Sequence, residues 1–198
     1  IATAHEDVKF GLSISSGAAW DAVNEIRKYP ALDLRGVHAH IGSQIFNLTG
    51  HIESAKVLIE FLARYRDEFG TELPELDLGG GFGISYLESD SPNSTATIMK
   101  TIHEVVTTSC AAASLNVPKI SIEPGRALIG PSMFTLYEVG TTKEVNLENN
   151  KTRNYVSVDG GMSDNIRPSL YGAVYTARLA NRTSTGATRD SRRSEEHT

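Results

Sequence analysis

Two hydrophobic periods alternate along this chain. Ala18 to Lys28 carries Trp20, Val23 and Ile26 at helical spacing, with Ser16 as a plausible N-cap and Pro30 as the stop. Leu32 to Ile41 switches to a period of two and reads as a strand. Thr49 or His51 opens a long helix through Glu68, with Ile52, Ala55, Leu58, Ile59, Leu62 and Tyr65 on one face and Gly70 at its end. Glu75 to Leu78 is the next strand. The polar loop Ser89 to Ser94 precedes a helix from about Thr95 to Leu115, and Lys119 to Ile122 is a further strand. Lys9 to Ile14 is a short strand candidate at the start. Strand and helix alternating with short connections predict parallel strands in βα units, an α/β fold. The pattern does not choose between an open sheet and a closed eight-stranded barrel.

Past Gly130 the pattern changes. Met133 to Val145 and Asn154 to Val158 alternate with no helix between them, joined by the polar turn Asn146 to Lys151. This predicts the start of an antiparallel β-domain over 132–181, after a βα domain over 1–131, with the boundary near Pro131. From 182 to 198 the periodicity disappears and Ser, Thr, Arg and Glu take over. Such a composition cannot bury a core, so this tail is expected to be disordered. Its last six residues, Arg193-Ser-Glu-Glu-His-Thr198, match the translated frame of a common sequencing adapter. On that reading Arg192, Arg193 and His197 carry no function. The chain also starts without a capping or targeting signal, and the expectation is a fragment of a longer protein.

Composition narrows the classes. The 198 residues carry a formal net charge of −5. No basic run appears before the last few residues, which argues against a nucleic-acid partner. No apolar run approaches the roughly 18 to 20 residues needed to span a bilayer. The single cysteine, Cys110, excludes an internal disulfide framework and fits a reducing, cytoplasmic compartment. It lies in an apolar helical run, where a buried, inert thiol is expected.

Four stretches could carry chemistry. Leu78 runs straight into Gly79-Gly80-Gly81, with Gly83 two residues on. Glycine permits φ > 0 and close approach to the main chain, and successive free N–H groups make an anion-binding concavity. A phosphate at the end of this strand is one reading; a loop that only turns tightly is the other. His38-Ala-His40-Ile-Gly-Ser43-Gln44 ends the Leu32 strand, with His38 and His40 on one face and Ser43 just beyond. His40 could stack or transfer a proton and Ser43 could bind phosphate, or both histidines could be satisfied in a core or interface. A metal is not expected, because two histidines at i and i+2 need a third ligand and none is evident. Glu123-Pro124-Gly125-Arg126 ends the Lys119 strand. Gly125 would allow a sharp reversal projecting Glu123 and Arg126 from one end. The two could pair on the surface, or Arg126 could meet an anion and Glu123 a cationic ring nitrogen. Finally, Asp159-Gly-Gly-Met-Ser-Asp164-Asn-Ile-Arg167-Pro-Ser-Leu-Tyr171 places Arg167 and Tyr171 four apart. One helical turn would put them on one side, with Arg167 either forked onto a carboxylate or facing solvent. The three βα motifs fall at C-terminal strand ends, where α/β folds bind ligands.

The four motifs together, in this order, resemble those of the diaminopimelate decarboxylases, pyridoxal-phosphate enzymes of the alanine-racemase-like fold group. The resemblance runs from about Lys9 to Asn181. It implies a (β/α)8 barrel followed by a β-barrel domain, pyridoxal 5'-phosphate as cofactor, an amino-acid substrate, a homodimer at full length, and no nucleic-acid or membrane partner. It implies that His40 stacks on the cofactor ring and that Ser43 lies near the phosphate. Gly81, in a loop shaped by Gly79, Gly80 and Gly83, would donate main-chain N–H groups to it. Glu123 would pair with the pyridinium nitrogen and stabilise the electrons released as carbon dioxide leaves; a neighbouring carboxylate favours the protonated ring. Gly125 and Arg126 would complete the phosphate and substrate side, and Arg167 and Tyr171 would bind substrate. In related ornithine-type enzymes an aspartate that grips a distal amine follows the matching tyrosine. Here Gly172 follows Tyr171, which favours a substrate with a distal carboxylate such as meso-diaminopimelate.

The family's cofactor lysine would lie upstream of Ile1, and Lys9 does not match it. Its late Cys-Glu pair and final tyrosine would lie beyond Thr198, and Cys110 is not that cysteine. The expectation is therefore that this chain alone cannot decarboxylate. The alternatives within reach are a decarboxylase of another basic amino acid or polyamine precursor, and a non-catalytic cofactor-binding paralogue. An Ala-x-Lys-Ala-Asn-like strand upstream would separate enzyme from paralogue.

Overall fold

Three short parallel strands order the first part of the chain. The computed structural model describes residues 11–148, 151–186 and 191–193. Strand β1 (Gly36–His38), β2 (Glu75–Asp77) and β3 (Lys119–Ser121) lie side by side in chain order. Gly36, Val37 and His38 pair in register with Glu75, Leu76 and Asp77, which pair in turn with Lys119, Ile120 and Ser121. The connections are helices α2 (Thr49–Phe69) and α3 (Thr95–Ala112), as parallel neighbours require. Helix α1 (Ala18–Ile26) precedes β1, and α4 (Gly125–Ile129) with a 3₁₀ turn at Gly130–Ser132 follows β3.

The period of two decides which face holds the core. Leu76 and Leu78 are buried with Ala55, Leu58, Ile59 and Leu62 of α2 and Ile102, Val106 and Cys110 of α3. Val37, Ala39, Ile120 and Ile122 pack against the same cluster. Each Val, Leu or Ile side chain taken fully from water contributes about 1.5–3 kcal/mol. The alternate residues His38, His40, Asp77 and Glu123 are thereby turned to the opposite face of the sheet. Two helix ends carry recognisable stop or cap residues. Gly70 closes α2 in the left-handed conformation at φ 69°, and Ser94 caps α3 by accepting from the Thr97 amide at 3.1 Å.

Several boundaries differ from the sequence expectation. The helix before β1 is capped by Gly17 at φ 87°, not by Ser16, and ends at Ile26 rather than Lys28. The Leu32–Ile41 strand shrinks to three residues, because only these find ladder partners on β2. Gly11–Ile14 form no strand, and Lys9 and Phe10 lie outside the described residues. Gly125 does not make a sharp reversal. It is the first residue of α4, and a Cβ there would meet nothing within 4 Å.

The described contacts separate two units: one takes the chain to Ser85 and again from Ser91 to Ser132, the other Tyr86–Asp90 and the chain from Met133 onward. The second unit is built on β4 (Val139–Asn146) and β5 (Thr152–Val158), an antiparallel pair with an irregularity between Val139 and Thr142. Met133–Glu138, expected to continue the first strand, has no ladder partner and is irregular. Tyr86 and Tyr175 meet edge to face at 5.1 Å, and the Thr176 hydroxyl donates to the Tyr86 carbonyl at 2.6 Å. Helix α5 (Arg167–Tyr171) follows β5. The tail expected to lack order from 182 contributes one strand, β6 (Ser191–Arg193), parallel to β5. An open strand edge pairs through backbone groups, so apolar periodicity is not needed there. Among the described residues, no helix is long and apolar enough to cross a membrane.

Candidate functional site

Close backbone packing at the ends of β1, β2 and β3 explains the glycines. A Cβ on Gly79 would collide with the Ala39 carbonyl, one on Gly80 with the Glu123 carbonyl, and one on Gly81 with the Gly42 carbonyl. Gly79 and Gly81 also sit at φ 64° and 87°, where a side chain is strained. The glycine turn is thus wedged between the His38–Gln44 and Glu123–Arg126 segments. Backbone bonds join all three: Glu123 N–H donates to the Gly79 carbonyl at 2.7 Å, and Ile45 N–H to the Gly81 carbonyl at 2.8 Å.

Side chains fix the turn further. The Asp77 carboxylate accepts from Gly79 N–H at 2.9 Å. His40 Nδ1 accepts from Gly80 N–H at 3.4 Å, so its ring proton is on Nε2. Gln44, at φ 60°, clamps the far side of the loop: its amide nitrogen donates to the Ile84 carbonyl at 2.6 Å, and its oxygen accepts from Ile84 N–H at 3.2 Å. Gly81 N–H has no partner among the described hydrogen bonds. Close by in the same unit, the Arg126 guanidinium donates to Ser43 Oγ at 2.9 Å. An N–H of a left-handed glycine, a hydroxyl and a guanidinium form a donor set suited to a phosphate dianion.

A second polar group lies on the same sheet face. His38 Nε2 donates to Glu123 Oε2 at 3.1 Å, both side chains being half exposed. Asp77 joins them, with the three ligand-capable atoms within 4.8 Å of one another. The described ion pair of Glu123 is with His38, while Arg126 donates to Ser43.

In the second unit, Arg167 and Tyr171 lie on one helical turn, as their spacing predicted. Arg167 Nε is buried, with no hydrogen-bond partner among the described residues. Tyr171 is exposed, and Gly172 closes the helix at φ 59°. Asp164 accepts from Gly161 N–H at 2.7 Å and shapes the turn before it.

Two residues escaped the sequence reading. Asp77 gained no notice because its place beside His38 follows from strand register, which a single sequence does not show. His51 is 2 % exposed, stacks on Phe82 at 4.7 Å and donates Nε2–H to the Gly80 carbonyl at 3.0 Å. Its signal was available: a histidine one turn before Ala55, on the apolar face of the α2 pattern.

Gly81 N–H, Ser43, Arg126, His40 and Glu123 thus lie at the strand ends of one α/β unit. Residues 1–130 match the family model of the pyridoxal-dependent decarboxylase, pyridoxal binding domain, and the chain belongs to that family. It is 46 % identical over 192 residues to the diaminopimelate decarboxylase of Corynebacterium efficiens, covering 97 % of this chain and 42 % of that protein. It is 50 % identical over 188 residues to the Mycobacterium tuberculosis enzyme of the same name, covering 93 % and 42 %. Thus the chain spans about two fifths of the length of the curated relatives it matches. Among solved structures, it is similar to diaminopimelate decarboxylase from M. jannaschii in co-complex with L-lysine. There the TM-score is 0.77 at 29 % identity, over 86 % of this chain and 38 % of that one. The Helicobacter pylori enzyme complexed with L-lysine gives 0.75 at 28 %, over 92 % and 42 %.

Proposed function

We propose that this chain is part of a pyridoxal-phosphate-dependent decarboxylase that converts meso-diaminopimelate to L-lysine. The observation that carries the reading is the joint placement of Gly81 N–H, Ser43, Arg126, His40 and Glu123 at the ends of three adjacent parallel strands. Identity of 46 % and 50 % to two enzymes of that name supports the substrate assignment. The polar face of the sheet supports a closed barrel. Parallel sheets are ordinarily covered on both faces, whereas a face bearing His38, His40, Asp77 and Glu123 suits the interior end of a (β/α)8 barrel. The second unit would begin the β-barrel domain, and the complete protein would be a cytoplasmic homodimer.

The residues fit the cofactor. Gly81 N–H, Ser43 Oγ and Arg126 would hold its phosphate, with Gly79, Gly80 and Gly125 shaping the approach. His40, its Nδ1 engaged by Gly80 N–H, would present a fixed ring face for stacking. Glu123 would accept a hydrogen bond from the ring N–H, and its negative charge would keep that nitrogen protonated and cationic. The bound cofactor supplies the electron sink for decarboxylation. In the second unit, Arg167 would bind the distal carboxylate of the substrate, with Tyr171 beside it in sequence register. The small, neutral Gly172 leaves no group to grip a distal amine.

The test is lysine formation and carbon dioxide release by the protein expressed from its complete reading frame. Turnover of meso-diaminopimelate is expected, with ornithine and lysine poor substrates. Arg167→Ala should lower kcat/KM for diaminopimelate about a hundredfold or more, since it strips a charged partner from a carboxylate. It should leave the ornithine value nearly unchanged. An unaltered preference in that variant would refute the distal-carboxylate assignment.

A further inference from the structure

The strand register brings His38, Asp77 and Glu123 together, and the function proposed above uses only the last of them. Glu123 is a long side chain, half exposed, at the end of a strand. At that exposure a free carboxylate would populate several rotamers. His38 supplies the confinement. Its Nε2–H holds Oε2 at 3.1 Å, while Oε1 carries no bond among the described residues. The imidazole is itself placed by β1, whose His38 is the register partner of Asp77 on β2. Asp77 is tied down in turn by Gly79 N–H, and Gly79 accepts the Glu123 amide. One short network thus links the glycine turn to the carboxylate.

We propose that His38 is a positioning residue for Glu123: it occupies one carboxylate oxygen so that the other is presented in a fixed direction to a cationic heteroaromatic nitrogen. This rests on the cofactor reading above. The same three groups could in principle hold a divalent cation, but Asp77 is already engaged by Gly79 N–H and His38 by Glu123. The bonds present are those of an orienting network.

The experiment uses the complete-frame protein reconstituted with ¹⁵N-labelled pyridoxal phosphate. Ring-nitrogen chemical shift, cofactor dissociation constant and kcat are measured for wild type, His38→Leu, His38→Gln, Glu123→Gln and the His38→Leu/Glu123→Gln double variant. Loss of a charge-assisted hydrogen bond should lower kcat about tenfold or more in His38→Leu, with KM little changed and a displaced ring-nitrogen shift. His38→Gln, whose amide N–H can reach the same oxygen, should recover most of this. In the Glu123→Gln background, His38→Leu should add less than about twofold, since coupled residues are not additive. An equal loss in both backgrounds, an unmoved nitrogen shift, or a His38→Leu protein matching wild type overturns the proposal. So does restoration of His38→Leu activity by added Mg²⁺ or Zn²⁺. If wild type itself binds no cofactor, it is the function reading that fails, and the two failures are told apart.

Discussion

At the scale of single residues, backbone collisions set the strictest demands. Gly80 has ordinary φ, so torsional strain does not explain it; the Glu123 carbonyl occupies the place of its would-be Cβ. Backbone cannot swing aside as a flexible side chain can. Gly80→Ala is therefore expected to lose about 2 kcal/mol or more of stability, or to prevent folding. Gly125→Ala, with open space around it, should leave the denaturation midpoint nearly unchanged. Equal midpoints for Gly80→Ala and wild type in urea would contradict the packing described. His51 belongs at this scale too. It is buried and bonded to the Gly80 carbonyl, so removing its donor leaves a buried acceptor unpaired, which costs about 1–3 kcal/mol.

At the scale of elements, α3 shows what the sequence made legible and what it did not. The helix itself and the burial of Cys110 were legible from spacing and residue type, whereas the Ser94 cap and the end at Ala112, short of the expected Leu115, were not. Burial, and then the nearby Glu72 carboxylate, push the Cys110 thiol above its usual value. The folded thiol is expected to resist DTNB until the protein unfolds; rapid stoichiometric labelling of the native protein would contradict this. The linkage has a definite sign. As pH rises through the unfolded thiol's pKa, the unfolded state loses its proton first, so this residue's contribution to stability falls in alkali. The long helices were readable because an amphipathic stripe repeats over many residues. Strands β1 to β5 were readable as elements but not in length, because ladders end where a partner ends, and partners are not written locally. The Arg167–Tyr171 turn was visible from spacing, whereas the Asp77–His38 neighbourhood depended on register between distant segments.

At the scale of the whole molecule, the order of motifs carried more than any motif alone. Gly79–Gly81 taken singly allowed a mere turn. Its joining to Ser43 and Glu123 appears only when strands of separate βα units lie side by side. The proposed chemistry depends on that convergence, because phosphate binding and ring-nitrogen pairing must occur at opposite ends of one small ligand. The most direct measurement is a titration of the complete-frame protein, and of its Arg126→Ala variant, with pyridoxal phosphate and with unphosphorylated pyridoxal. Pyridoxal phosphate is expected to bind about a hundredfold tighter than pyridoxal, with most of that margin lost in Arg126→Ala. Equal affinity for the two ligands, or a margin untouched by the substitution, would contradict a phosphate site at these strand ends.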